Sequence, residues 1–152
     1  MAVIEPEAYS LLRADDGPAF TALRNLRDRW RGHVQAGDWY AAFEEFIDFY
    51  NGPGSFAAWP PPRRDAFLED QRTRGGLWDV LFNAHTAGSL ASVTVPVHVI
   101  EGSATSVVDR AICDAVLRSV RHARRSVIEG AGHMMPLSHA ADLTRVLVRQ
   151  LA

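Results

Sequence analysis

The run Val95 to Ile100, VPVHVI, is nearly continuous in apolar character and ends at Glu101-Gly102. A strand that alternates apolar and polar residues can leave one face in water. One that is apolar at almost every position must be covered on both faces, which is the situation of a strand inside a parallel sheet flanked by helices. The segment after it, from about Val108 to Arg121, repeats its apolar residues at helical spacing. A second short apolar run, Ser126 to Ile128, and a further amphipathic pattern (Leu143, Val146, Leu147, Leu151) follow. Strand, helix, strand and helix in that order predict an α/β unit with one right-handed crossover.

The chain before this unit has a different period. Ala2 to Ile4 is a three-residue apolar run that ends at Glu5-Pro6. Asp15-Asp16-Gly17-Pro18 opens a helix, because acids suit its start and proline its first turn, and Phe20, Leu23, Leu26, Trp30 and Val34 recur on one face. Gly37 ends that helix and Asp38 can cap the next. In it Ala42, Phe43, Phe46, Ile47 and Tyr50 form a broad apolar face, before Asn51-Gly52-Pro53-Gly54 breaks the chain. Trp59-Pro60-Pro61-Pro62 feeds a third helical stretch, Arg63 to Arg74, interrupted at Gly75-Gly76 and resumed from Leu77 to Asn83. The expected organisation is one domain over residues 1–152. A first strand lies within 1–8, a helical region within 9–90, and the C-terminal unit within 91–152.

Composition excludes several classes of function. Of 152 residues 22% are charged and the formal charge is -2, so nothing favours nucleic acid or an anionic membrane as partner. The single cysteine, Cys113, permits neither an internal disulfide nor a thiolate metal cluster. The N-terminus lacks a basic segment followed by a long apolar one, and no stretch has eighteen uninterrupted apolar residues. A cytoplasmic location is expected, with no metal and no cofactor. His98, inside the strand at 95–100, reads as a buried, hydrogen-bonded histidine, and His85 and His139 have no metal-ligand spacing.

The candidate site is Glu129 to Ala140, EGAGHMMPLSHA. His133 falls in a glycine-rich loop at the carboxyl end of the last strand, the edge of an open α/β sheet where ligands gather. A loop histidine that only satisfies backbone groups is the alternative.

PVHVIEG at 96–102, GAGHMMPL at 130–137 and the opening AVIEPEAYSLL together resemble the C-terminal half of the α/β-hydrolase superfamily. The resemblance implies a partial α/β-hydrolase fold: a short parallel sheet of about three strands, with the helical region inserted between the first and second as a lid. It makes His133 the general base of the site. The usual position of its acid partner, three residues after Gly102, holds Thr105. The resemblance therefore favours Glu5, which stands where some members carry the acid, over a reading as a surface glutamate near a frayed terminus. Asp109 is expected to cap or solvate its own helix. Met134 and Met135 stand at the mouth of the implied site. Trp30, Phe46 and Trp59, with the neighbouring aromatics Trp39, Phe43, Phe49, Tyr50, Phe56 and Trp78, either line an apolar substrate pocket or form core.

The nucleophile elbow G-x-S-x-G is missing, and none of the nine serines occupies such a motif. The hydroxyls of Ser103, Thr105 and Ser106 are the ones to search for a hidden nucleophile. Without the family's first five strands, the first strand here has an unpaired edge, which a complementing N-terminal-half chain or a second copy of this chain would have to cover unless the short first strand rearranges. The implied activity is hydrolysis of a small apolar ester-like substrate with the nucleophile supplied from elsewhere. The alternative is a truncated, self-associating, non-hydrolytic member that binds a hydrophobic molecule.

Overall fold

The structure is a computed structural model and describes residues 1–14, 17–74 and 90–149. Trp78, His85, Leu151, the Gly75-Gly76 interruption and the resumed helix at 77–83 lie outside the described residues. Three parallel strands, β1 (Ala2–Ile4), β2 (Val97–Gly102) and β3 (Ala123–Ile128), form one sheet in the order β1-β2-β3. In register, Ile4 pairs with Ile100, and Ile100 in turn pairs with Ser126. Every residue of β2 is buried, as its unbroken apolar run requires. Both neighbours are more exposed, so β2 carries the sheet.

Between β1 and β2 the chain forms a 3-10 helix (Tyr9–Ala14) and the helices α1 (Pro18–Gln35), α2 (Trp39–Asn51) and α3 (Pro61–Arg74). Their ends follow the sequence signals. Pro18 occupies the first turn of α1, and Gly37 takes a φ of 79° just past its end. Asp38 caps α2 by accepting the N–H of Ala41 at 3.0 Å. The helix α3 begins two residues earlier than its periodicity suggests, because Pro61 and Pro62 fit a first turn that needs no N–H donors.

Two apolar clusters flank the sheet. In the larger one, Val97 and Val99 of β2 meet Val108, Ile112, Cys113 and Val116 of α4 (Val107–Ser119), and the same cluster continues through Leu11, Leu12, Leu23, Leu26 and Trp30. The helical region and the sheet thus share a single core. On the other face, Ile100, Ile128, Ala131, Met135 and Leu143 pack beneath α6 (Ala140–Val148), which follows the four-residue helix α5 (Met135–Ser138). No helix among the described residues is long and apolar enough to cross a membrane.

Candidate active site

All three strands run in the same direction, so the loops after β1, β2 and β3 emerge at one edge. Each contributes to a single cluster. From β1, the chain turns sharply at Glu5, a non-glycine residue with a φ of 36°, while its N–H still donates to the Ile100 carbonyl at 3.1 Å. Such a conformation costs on the order of 1–3 kcal/mol and persists only where neighbours hold it. Here the side chain is the holder: Glu5 is 4% exposed, and one of its carboxylate oxygens accepts the backbone N–H of Gly102 at 2.9 Å.

The other Glu5 oxygen lies 3.0 Å from Nδ1 of His133. His133 rides on a turn closed by the Met135 N–H donating to the Gly132 carbonyl at 3.0 Å, and Met135, fully buried, anchors that turn in the core under α6. Gly102 permits the closeness of the two loops. A Cβ there would stand 2.0 Å from the Ala131 carbonyl oxygen, the same oxygen that accepts the Ala104 N–H.

Asp109 was expected to cap or solvate its own helix; it does pair with the N-cap Ser106, but it is withdrawn from solvent and also reaches another loop. It sits in the first turn of α4, where Ser106 caps its N–H at 3.0 Å, yet it is fully buried. Its Oδ2 accepts the Ser106 hydroxyl at 2.9 Å and lies 3.5 Å from Nδ1 of His133. The fixed register from Gly102 points to Thr105 and passes over Asp109. One turn of helix brings Asp109 back towards the loop, a return that spacing along the chain does not display.

His133 is therefore flanked by two buried carboxylates on its Nδ1 side. Hydrogen bonding to Asp109 and then to Glu5 raises its pKa from 6.5 to about 10, against an opposing effect of burial. For Glu5, burial pushes the pKa up, but hydrogen bonds from His133, the Gly102 N–H and Thr105 outweigh it, and the net shift is downward. The ring of Tyr50 stands 5.3 Å from the imidazole, and its hydroxyl donates to that of Tyr9 at 3.1 Å in a buried pair. Burial raises the pKa of both phenols.

Glu7, 3.8 Å from Nε2, lines a cavity of about 300 Å³ with Ile4, Glu5, His133, Met134, Pro136 and Leu137. Of the five residues considered for substrate contact, Met134 lines this cavity. Met135 belongs to the core beneath it. Trp30 packs edge-on against Trp39 and Phe43, Phe46 lies behind Tyr50, and Trp59 packs among Phe56, Phe67 and the guanidinium of Arg63. Among the described residues, Tyr50 is the helical-region aromatic that reaches His133.

The three hydroxyls considered as hidden nucleophiles are otherwise engaged. Ser103 accepts the Gly130 N–H at 2.8 Å, and Thr105 and Ser106 both donate to Asp109. His98 is buried as expected, with Nε2 2.8 Å from the Ser126 hydroxyl. Ligand-type atoms of Glu5, Asp109 and His133 lie within 4.8 Å of one another. Because the Gly102 N–H, the Ser106 hydroxyl and the His133 ring already engage the carboxylates, we read the group as an acid–base cluster and assign it no metal.

Neither a protein-family model nor a curated protein matches the sequence. Solved structures do match. The crystal structure of VinJ superposes with a TM-score of 0.64 at 17% identity, over 99% of this chain and 56% of that one. An α/β hydrolase from Sphaerobacter thermophilus superposes with a TM-score of 0.53 at 20% identity, over 95% of this chain and 56% of that one. This chain thus corresponds to about 56% of the length of each. With the parallel order β1-β2-β3 and the helices inserted after β1, the chain carries a partial α/β-hydrolase fold.

Proposed function

We propose that this chain supplies the histidine and acid of a hydrolytic site for a small, apolar, ester-like substrate, with the nucleophile provided by a second polypeptide segment. The observation that carries this reading is the polarity of His133. Its Nδ1 is held 3.0 Å from a buried carboxylate, while on the Nε2 side stands Glu7 at 3.8 Å, which lines a cavity together with His133. A general base needs that arrangement, with one nitrogen oriented by an acid and the other facing the nucleophile; because the His133 pKa is raised to about 10, Nε2 takes a proton only from the neutral ring, whose share grows as pH rises towards that value. Glu5 fixes the ring and stabilises the imidazolium formed when Nε2 accepts the proton. The imidazolium then returns the proton to the leaving group. Ile4, Met134, Pro136 and Leu137 give the substrate an apolar wall.

A second reading rests on a different observation. Among the described residues, β1 pairs with β2 alone, and Leu137 and Met134 beside it are 71% and 42% exposed. Free strand edges and exposed apolar side chains favour association. On this reading two copies cover the edge, and the cavity binds a hydrophobic molecule without hydrolysing it. A cytoplasmic location suits both readings.

Light scattering on the purified chain, with hydrolysis of a short-chain chromogenic ester by the parent and by His133→Ala, separates them. The hydrolytic reading expects turnover only when a nucleophile-bearing segment is added, and loss of that turnover in His133→Ala. A stable dimer that stays inactive with every such segment would sink it in favour of the binding reading.

A further inference from the structure

We infer that Asp109 is a positioning residue for His133. Its carboxylate shares the Nδ1 proton with Glu5, so that two buried acids from separate elements fix one ring with Nε2 towards the cavity. This deepens the hydrolytic reading and rests on the role of His133 in it.

The geometry discriminates this role from ordinary helix capping. An acid three residues after an N-cap serine commonly reaches back to the N-cap backbone N–H from a solvated position. Asp109 is instead fully buried, and it takes the Ser106 hydroxyl at 2.9 Å. Its Oδ1 has no hydrogen-bond partner among the described residues. A carboxylate withdrawn from water with one oxygen unsatisfied is costly unless a positive charge lies close. Two sources lie close to this carboxylate: the N-terminal end of α4, whose first turn holds Asp109, and the His133 ring, positive when protonated, whose Nδ1 is 3.5 Å from Oδ2.

The groups facing His133 are Glu5 at the end of β1, Glu7 in the loop after it, Asp109 on α4 and the neutral phenol of Tyr50 on α2, with Tyr9 behind. Glu5 and Asp109 both face Nδ1. Glu7 faces Nε2 from an exposed position, so it competes for the opposite proton and cannot replace either. Two acids on one nitrogen keep the ring oriented when one of them is neutralised, and the oriented ring presents Nε2 to whatever enters the cavity.

The test is the NMR titration of the His133 ring in the whole chain, assigned by the signal that His133→Ala removes. It compares the parent, Asp109→Asn, Glu5→Gln and Ser106→Ala. The expected result is a midpoint lowered by about one to two pH units in Asp109→Asn, with Ser106→Ala losing thermal stability while its midpoint stays near the parent's. Should Asp109→Asn fail to fold, Glu5→Gln decides the matter. With Asp109 acting, its midpoint remains above the 6.5 of an unperturbed histidine. A midpoint in Asp109→Asn within about 0.3 of the parent's, or one in Glu5→Gln that falls to the unperturbed value, overturns the inference. The titration needs no substrate and no added segment. Absence of hydrolysis would count against the hydrolytic reading alone.

Discussion

Glu5 and His133, 128 positions apart, meet at 3.0 Å because the ends of β1 and β3 open at the same edge of a parallel sheet. The contact ties the two outer strands together across β2. It is a packing feature as much as a chemical one, and its dependence on protonation follows.

Stability should fall as pH rises from neutral to alkaline. The folded-state pKa of His133 is raised to about 10 from 6.5, so the stabilisation its charge confers is complete below about 6.5 and is lost as pH passes through 10. The folded-state pKa of Glu5 is lowered, so its contribution is present above 4.5 and is lost as pH falls through its folded value. Urea denaturation between pH 5 and pH 10 should show a decline on the order of a few kcal/mol at the alkaline end. His133→Ala should flatten that limb. A parent curve that is level across this range would show that the imidazolium is not retained in the fold.

Glu5→Gln and Glu5→Ala should differ. The amide oxygen of glutamine can still accept the Gly102 N–H, so that variant loses the charge but keeps one bond. Alanine leaves both the Gly102 N–H and Nδ1 of His133 without their Glu5 partner, and about 2–4 kcal/mol of destabilisation is expected against a smaller loss for glutamine. Thermal melts at pH 7 give the comparison, and equal losses would mean that the Gly102 bond contributes little.

Gly102→Ala should be among the more damaging single substitutions outside the apolar core. The added methyl would meet a backbone oxygen at 2.0 Å, and no side-chain rotation can relieve that contact. A loss of about 3 kcal/mol is expected, with the titration of His133 disturbed as the two loops separate.

Trp30→Ala and Leu137→Ser should separate core from site. Trp30 is 8% exposed within an aromatic cluster, so its truncation should cost about 3–5 kcal/mol while leaving the His133 environment in the folded fraction unchanged. Leu137 is 71% exposed at the cavity, and its replacement should shift stability by less than about 0.5 kcal/mol. Light scattering and binding of an apolar fluorescent probe should change in Leu137→Ser and not in Trp30→Ala.

The parts of this molecule governed by local rules were legible from residues alone. The helices α1 and α2 follow from their apolar spacing, Pro18, Gly37 and Asp38, and β2 follows from its unbroken apolar run. At three residues, β1 has too little pattern to stand out, and resemblance alone marked it. The pairing of Glu5 with His133 came the same way, since no spacing rule spans the sheet. Asp109 escaped because a first-turn acid after a serine is explained well enough by its own helix. What distinguishes it is burial against another loop. The aromatic residues of the helical region could have been lining or core, and packing decided: Tyr50 turns towards His133, whereas Trp30 and Trp59 turn towards other rings.

The brevity of β1 has a consequence for how site and sheet depend on each other. Side chains along a strand alternate faces, so sliding β1 by a single residue against β2 would carry Glu5 to the wrong side of the sheet. Three residues of ladder resist such a slide weakly. The bonds from Glu5 to Gly102 and His133 are satisfied in one alignment only, and they work as a latch at the end of a short rail. A chemical perturbation of His133 is therefore also a mechanical one, felt as play in the outermost strand.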